Sequence, residues 1–298
     1  MRIPPALEAL AARVSLPGSG RQVFCYDSGP RDAPALMLVH GLGDEADTWR
    51  RVIGPLSQRF RVVAPDLPGF GRSPRSTRAR LTPPFLAGVL LELAAHLELR
   101  ALTVVGSSLG ALLSQVMALS SPGLVSRLVL VDGGLLAMNR ISPALLLGLV
   151  PGIGERRYRA FASDLDAAWL SLFPYYARLG DLPEEEQQFL RERVAARVTS
   201  DSQMIAYFSS FRGLVTWMAW AGRRYGRRAS AQGIPTTYVW GAQDHIVPLE
   251  AGTAAHGRHP GSQLVVIPDA GHLPHQETPA RFLEVMDALQ LPGSGPTR

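Results

Sequence analysis

Ala101-Leu-Thr-Val-Val-Gly-Ser-Ser-Leu-Gly-Ala-Leu-Leu-Ser-Gln-Val-Met-Ala118 joins a short β-branched, apolar run to a helical pattern, and Gly106-Ser107-Ser108-Leu109-Gly110 sits where the two meet. A strand that turns straight into a helix at Gly-x-Ser-x-Gly forces the central serine into a tight, strained bend. Side chains at 106 and 110 would collide as strand and helix close on each other, so glycine at both positions lets Ser108 stand clear. A helix starting at Leu109 aims its unpaired amides and the positive end of its dipole at whatever Ser108 attacks. The pentapeptide alone also fits a glycine-softened turn in an ordinary α/β unit; the strand before it and the helix after it favour a nucleophile. Ser107 is one position off the bend and points elsewhere.

Outward from this stretch, strands are expected at 22–27, 35–39, 61–64 and 127–131, with helices at about 47–58 and 83–97. Ala35-Leu-Met-Leu-Val39 is wholly apolar, as burial on both sheet faces requires. From about 135 to 230 the alternation stops, and helices are expected from Pro143, over 156–173, over 183–198 and over 202–221. Tyrosines, phenylalanines and tryptophans gather there, some to bury a helix face and some to line an apolar pocket. The sheet pattern resumes at 236–240 and 263–267, and a helix over 279–289 precedes a Pro-Gly-Ser-Gly tail. Such alternation implies a mostly parallel sheet with helices on both faces, and chemistry at the carboxyl ends of its strands.

Composition narrows the function classes. With 298 residues, 46% hydrophobic and 18% charged, the chain has the material for a full core and is not of disordered type. Its formal charge of +5 comes entirely from arginine, with lysine absent. Both signs are mixed along the chain, and only Arg223-Arg224-Tyr225-Gly226-Arg227-Arg228 clusters, where it closes an expected helix, so no nucleic-acid partner is expected. The longest apolar candidate, Leu128 to Ile153, is interrupted by Asp132, Asn139, Arg140 and two prolines, which argues against stable membrane insertion. The N-terminus carries charges and paired prolines instead of a signal peptide's apolar segment, so a cytoplasmic location is expected.

The single cysteine, Cys25, lies in an apolar strand-like run and reads as a buried inert thiol. His256 and His259 have ligand-like spacing with no carboxylate or cysteine to join them, so a solvated helix end is expected and no metal. His96 reads as an ordinary helix residue. Gly69-x-Gly71, between prolines, is in the wrong context for a dinucleotide, and no cofactor is expected.

A serine hydroxyl is a poor nucleophile until a histidine takes its proton, and that histidine works best when a carboxylate fixes its tautomer. Ser108, Asp244 and His272 follow expected strands in that order. With them come His40-Gly-Leu-Gly43, Asp66-Leu-Pro-Gly-Phe-Gly-Arg-Ser73, Gly241-Ala-Gln-Asp-His-Ile-Val-Pro248 and Gly271-His272. Together these motifs resemble the α/β-hydrolase superfamily over nearly the whole core. The resemblance implies an α/β-hydrolase fold, a mostly parallel central sheet flanked by helices, with a helical cap inserted after the sixth core strand. Residues 1–134 and 231–298 would form the core and 135–230 the cap.

The resemblance further implies that Ser108 is the nucleophile, His272 the general base and then acid, and Asp244 its orienting carboxylate. Backbone amides of Leu42 and Leu109 would form the oxyanion hole, and His40 would brace the loop that carries Leu42. Asp132, at the end of another strand, is the alternative acid. His245 and His275 stand where the family pattern asks for no catalytic group. Haloalkane dehalogenases and epoxide hydrolases of this fold attack with aspartate, so serine at 108 sets this chain apart from both. The expected activity is that of a carboxylesterase or lipase-like serine hydrolase on a small or medium apolar ester, the protein being a monomer or homodimer. The same residues also serve carbon–carbon bond hydrolysis, lactone opening, perhydrolysis and acyl transfer, and a non-catalytic accessory protein on this fold is a third reading.

Overall fold

A computed structural model describes residues 2–74, 80–137 and 147–289. Its strands, β1 (Ala11–Leu16), β2 (Arg21–Ser28), β3 (Ala35–Val39), β4 (Arg61–Pro65), β5 (Leu102–Ser107), β6 (Val125–Val131), β7 (Thr236–Gly241) and β8 (Gln263–Ile267), form one sheet. The strand order is β1-β2-β4-β3-β5-β6-β7-β8. β1 and β2 run antiparallel at one edge, and β4 through β8 are mutually parallel. This is the α/β-hydrolase architecture that the motifs implied.

Register puts the chemistry at one edge. Val39 pairs with Gly106, Ser107 with Val131, Val131 with Val239 and Gly241 with Ile267. The chain following β3, β5, β6, β7 and β8 therefore leaves the sheet on the same side. Alternation along each strand supplies the two faces. Leu36 and Leu38 pack with Trp49, Ile53 and Phe282, whereas Met37 and Val39 pack with Leu86, Leu112 and Val116. The first face is covered by α1 (Arg50–Ser57), the second by α2 (Pro83–His96) and α3 (Leu109–Ser120).

Between β6 and β7 the chain forms a helical layer of α4 (Ile153–Ser163), α5 (Leu165–Leu170), α6 (Glu184–Val198) and α7 (Asp201–Ala231). The expected helix over 156–173 is broken because Asp164 leaves the helix and caps α5, its carboxylate accepting from the Ala167 amide at 2.9 Å. The expected helix over 202–221 continues for ten more residues. Gly222, Gly226 and the arginines look like a stop, yet a Cβ at Gly226 would lie 3.1 Å from Leu136, so that glycine is a packing position inside the helix. β1 was not expected, although Arg13-Val14-Ser15-Leu16 alternates exposed and buried positions. The helix from Pro143 and the Pro-Gly-Ser-Gly tail fall outside the described residues. After β7 come α8 (Leu249–Gly257), α9 (Pro274–Glu277) and α10 (Pro279–Ala288). No helix among the described residues is long and apolar enough to cross a membrane.

Candidate active site

Ser108 sits between β5 and α3 with φ 54° and ψ −113°, a conformation L-residues avoid and one that costs on the order of 1–3 kcal/mol. The elements around it approach closely. A Cβ at Gly106 would overlap the Gly110 carbonyl, and one at Gly110 would overlap the Val39 carbonyl. A Cβ at Gly133 would stand 2.5 Å from the Ser108 carbonyl oxygen and 2.7 Å from its Cα. The Ser108 amide donates to Val131 at 2.8 Å, and the residue is half-buried. Ser107, by contrast, is buried within β5.

His272 Nδ1 lies 2.7 Å from Asp244 Oδ2, and both side chains are buried. Asp244 Oδ1 accepts from the amides of Ile246 and Val247 at 2.7 and 2.9 Å. A carboxylate held by two amides cannot swing, so the ring it faces is fixed in turn. Asp132, at φ 47°, joins the pair: one ligand-capable atom from each of Asp132, Asp244 and His272 lies within 4.8 Å of the others. Its Oδ1 accepts from the Gly241 amide at 2.9 Å, and burial together with the Asp244 charge holds its carboxyl well above the usual carboxylate range. Ser108 Oγ makes no hydrogen bond to His272 here; such contacts commonly tighten only when substrate binds.

Gly41 brings the loop after β3 against the serine, since a Cβ there would lie 3.3 Å from Ser108 Cβ. Among the described residues, neither the Leu42 amide nor the Leu109 amide has an acceptor. His40 ties this loop to the next one. Its Nε2 accepts from the Leu67 amide at 2.9 Å, which assigns the proton to Nδ1, and Nδ1 donates to the Gly41 carbonyl at 2.8 Å. Burial pushes the His40 ring below its ordinary range, so it stays neutral in that role. Asp66 accepts from the amides of Ala46 and Arg72, both at 2.6 Å, and burial raises its carboxyl to about 7 against their pull.

The helical layer reaches this edge directly. The His272 amide donates to the Tyr175 carbonyl at 2.8 Å, and the two rings are 5.8 Å apart. Tyr207 lies against Gly43, where a Cβ would be 3.0 Å from the ring, and its own ring is 5.9 Å from that of Tyr158. Glu277 receives the amides of Gly271, Ala177 and Arg178 at 2.8, 3.0 and 2.6 Å, so one carboxylate joins the histidine loop to the layer. Arg197 on α6 bonds Glu45 at 2.8 Å and Asp44 at 2.5 Å, and Arg193 bonds Asp47 at 2.7 Å.

Sequence reasoning did not assign Glu277, Arg193, Arg197 or the Asp66 contacts. Asp66 had a signal, as it opens the glycine-rich motif that must fold around it. Glu277 had none in its local pattern. The remaining histidines divide. His245 is exposed, His96 ends α2, and His275 is buried, stacked on Trp49 at 4.1 Å with Nε2 2.9 Å from Thr48 Oγ1. His259 is not at a solvated helix end: it is 4% exposed, with Nδ1 3.1 Å from the Tyr238 hydroxyl. Cys25 is buried, and desolvation pushes its thiol up to about 12.

The sequence profile of a family described as alpha/beta hydrolase fold matches residues 34–279. A pimeloyl-(acyl-carrier protein) methyl ester esterase of Aeromonas hydrophila subsp. hydrophila is 27% identical over 85% of this chain and 94% of its own length. A 2-hydroxy-6-oxononadienedioate/2-hydroxy-6-oxononatrienedioate hydrolase of Pseudomonas putida is 29% identical over 89% of this chain and 91% of its own. Among solved structures, a thermophilic esterase from Thermogutta terrifontis superimposes with a TM-score of 0.75 at 23% identity, covering 96% of this chain and 99% of that one.

Proposed function

The chain belongs to the alpha/beta hydrolase fold family, and from that premise we propose that it is a serine hydrolase cleaving small or medium apolar carboxylic esters through an acyl-enzyme on Ser108. The observation that carries this reading is the His272–Asp244 contact of 2.7 Å at the sheet edge where Ser108 is held in its strained bend. Ser108 Oγ attacks the carbonyl carbon while His272 Nε2 takes its proton, and Nδ1–H remains donated to Asp244. Negative charge then grows on the carbonyl oxygen, where the unpaired amides of Leu42 and Leu109 receive it. Losing one such donor typically costs about 3 kcal/mol of barrier. His272 next passes its proton to the departing alkoxide, leaving an acyl group on Ser108. Water, deprotonated by the same ring, releases the acid.

Residues 135–230 act in this reading as a cap. Support comes from Tyr175 beside His272 and Tyr207 over Gly43, which put aromatic walls against the reacting groups. Such walls suit an apolar acyl or alcohol group. A second reading, carbon–carbon bond hydrolysis by the same serine, is supported by the likeness to the Pseudomonas putida hydrolase. A fluorophosphonate probe should label the wild type and not Ser108→Ala; labelling that persists in the variant overturns the serine assignment. Turnover of p-nitrophenyl esters of increasing chain length, set against ring-fission diketones and lactones, separates the two readings.

A further inference from the structure

We propose that Asp132 and Asp244 form an acid pair holding one proton, with Asp132 the neutral member that donates it to Asp244 and so positions the carboxylate facing His272. The effect on His272 rests on the serine-hydrolase reading; the shared proton does not.

The two carboxyl groups differ in their support. Asp244 accepts three hydrogen bonds, from Ile246, Val247 and His272. Asp132 accepts one, from Gly241 at Oδ1. Its Oδ2 is buried with no donor facing it, which as a carboxylate oxygen would leave a lone charge unmet in the interior. As a carboxylic acid, the same oxygen becomes a donor, and Asp244, in the same cluster within 4.8 Å, is the carboxylate beside it. Among the described residues, the titratable groups clustered with Asp132 are Asp244 and His272, and no arginine is bonded to it. Two buried carboxylates this close do not both ionise, so a single charge settles on the better-supported one. Asp132 sits in the cluster at φ 47°, a left-handed backbone that a residue other than glycine adopts only at some cost.

One negative charge beside the imidazole steadies the imidazolium that forms during attack. Asp132 is therefore a positioning residue: its hydrogen bond orients the carboxylate that faces His272.

Infrared difference spectra at pH 7 test the pair directly. The wild type should show the carbonyl stretch of a neutral carboxylic acid that disappears in Asp132→Asn, while any band from Asp66 stays. Asp132→Ser, which also removes the carboxyl, gives the same subtraction if the amide variant does not fold. A spectrum unchanged by either substitution overturns the proposal, as does a band that persists in Asp132→Asn and vanishes in Asp244→Asn. Kinetics supply the second arm. Asp132→Asn keeps an acceptor for Gly241 and a donor for Asp244, so it should lose under about tenfold in kcat, and Asp132→Val at least tenfold more, with KM little changed. Equal losses in the two variants overturn the positioning role. A Ser108 that no probe labels, with the acid band still present, would sink the proposed function and leave the pair standing.

Discussion

The sheet and the helical layer over residues 147–231 are built on different terms. β3, β5 and β7 are buried along their whole length, and their polar groups are spent on neighbouring strands. Among the described residues, seven of the nine exposed large hydrophobics lie in the layer, Trp220 at 86% exposure among them, while Ala206, Leu214, Trp217 and Ala221 join the core beneath it. Charge ties it down as well: Arg193 to Asp47, Arg197 to Asp44 and Glu45, Arg50 to Glu186, and the amides gathered by Glu277. Breaking one partner out of a buried pair costs about 3–5 kcal/mol, so these contacts set how firmly the layer sits. In the proposed function, reactivity belongs to the sheet edge and fit to the layer.

Removing the reactive group makes the sharpest cut between the two. Ser108→Ala should lower ester kcat by about 10⁴ to 10⁶ while the thermal midpoint stays level, since alanine keeps the Cβ and the backbone of the bend and loses only the hydroxyl. A loss under tenfold would move the chemistry away from the sheet edge.

Next in size is a packing change inside the framework. A Cβ at Gly241 would overlap the Gly271 carbonyl, so Gly241→Val should destabilise the chain by about 3 kcal/mol or more in denaturant unfolding. Arg197→Met attacks the layer instead. It strands Asp44 and Glu45, both buried, and should cost about 3 kcal/mol and raise KM more than it lowers kcat. If kcat falls and KM holds, the layer shapes the reactive groups themselves and the division fails.

The framework also carries a pH signature. His275 is buried, and desolvation holds its ring well below the ordinary 6.5. Below that value the unfolded chain takes up a proton that the folded ring refuses, so stability falls with acid by about 1.4 kcal/mol per pH unit from this group. Asp66 works in the opposite sense, because its folded carboxyl keeps a proton up to about 7 and its contribution weakens as pH rises through the window from 3.8 to 7. Comparing His275→Gln with wild type between pH 7 and pH 5 isolates the histidine: the variant should lose less on acidification. The smallest effect is expected at Trp220→Ser, within about 0.5 kcal/mol in unfolding and without change in kcat.

Residues whose roles follow from local pattern were legible. Apolar runs such as 35–39 fixed the strands, and a serine between two glycines at a strand–helix junction announced its own geometry. Asp132 was visible as a possible acid, but its relation to Asp244 depends on β6 and β7 being neighbours, which no local stretch encodes. β1 was lost because six residues with only two buried positions give a weak alternation. The helical layer was legible as helices and illegible as a docked body, since Arg193 meets Asp47 across 145 intervening positions and neither residue looks unusual in its own segment.

Glu277 ends α9, far past the Ala177 and Arg178 amides that it collects. Anyone transplanting residues 135–230 onto a relative to borrow its selectivity would leave that carboxylate behind. The graft would arrive without its latch, and the histidine loop would lose a strut at the same moment. A chimera should therefore carry the stretch from Gly271 to Glu277 along with the helices it serves.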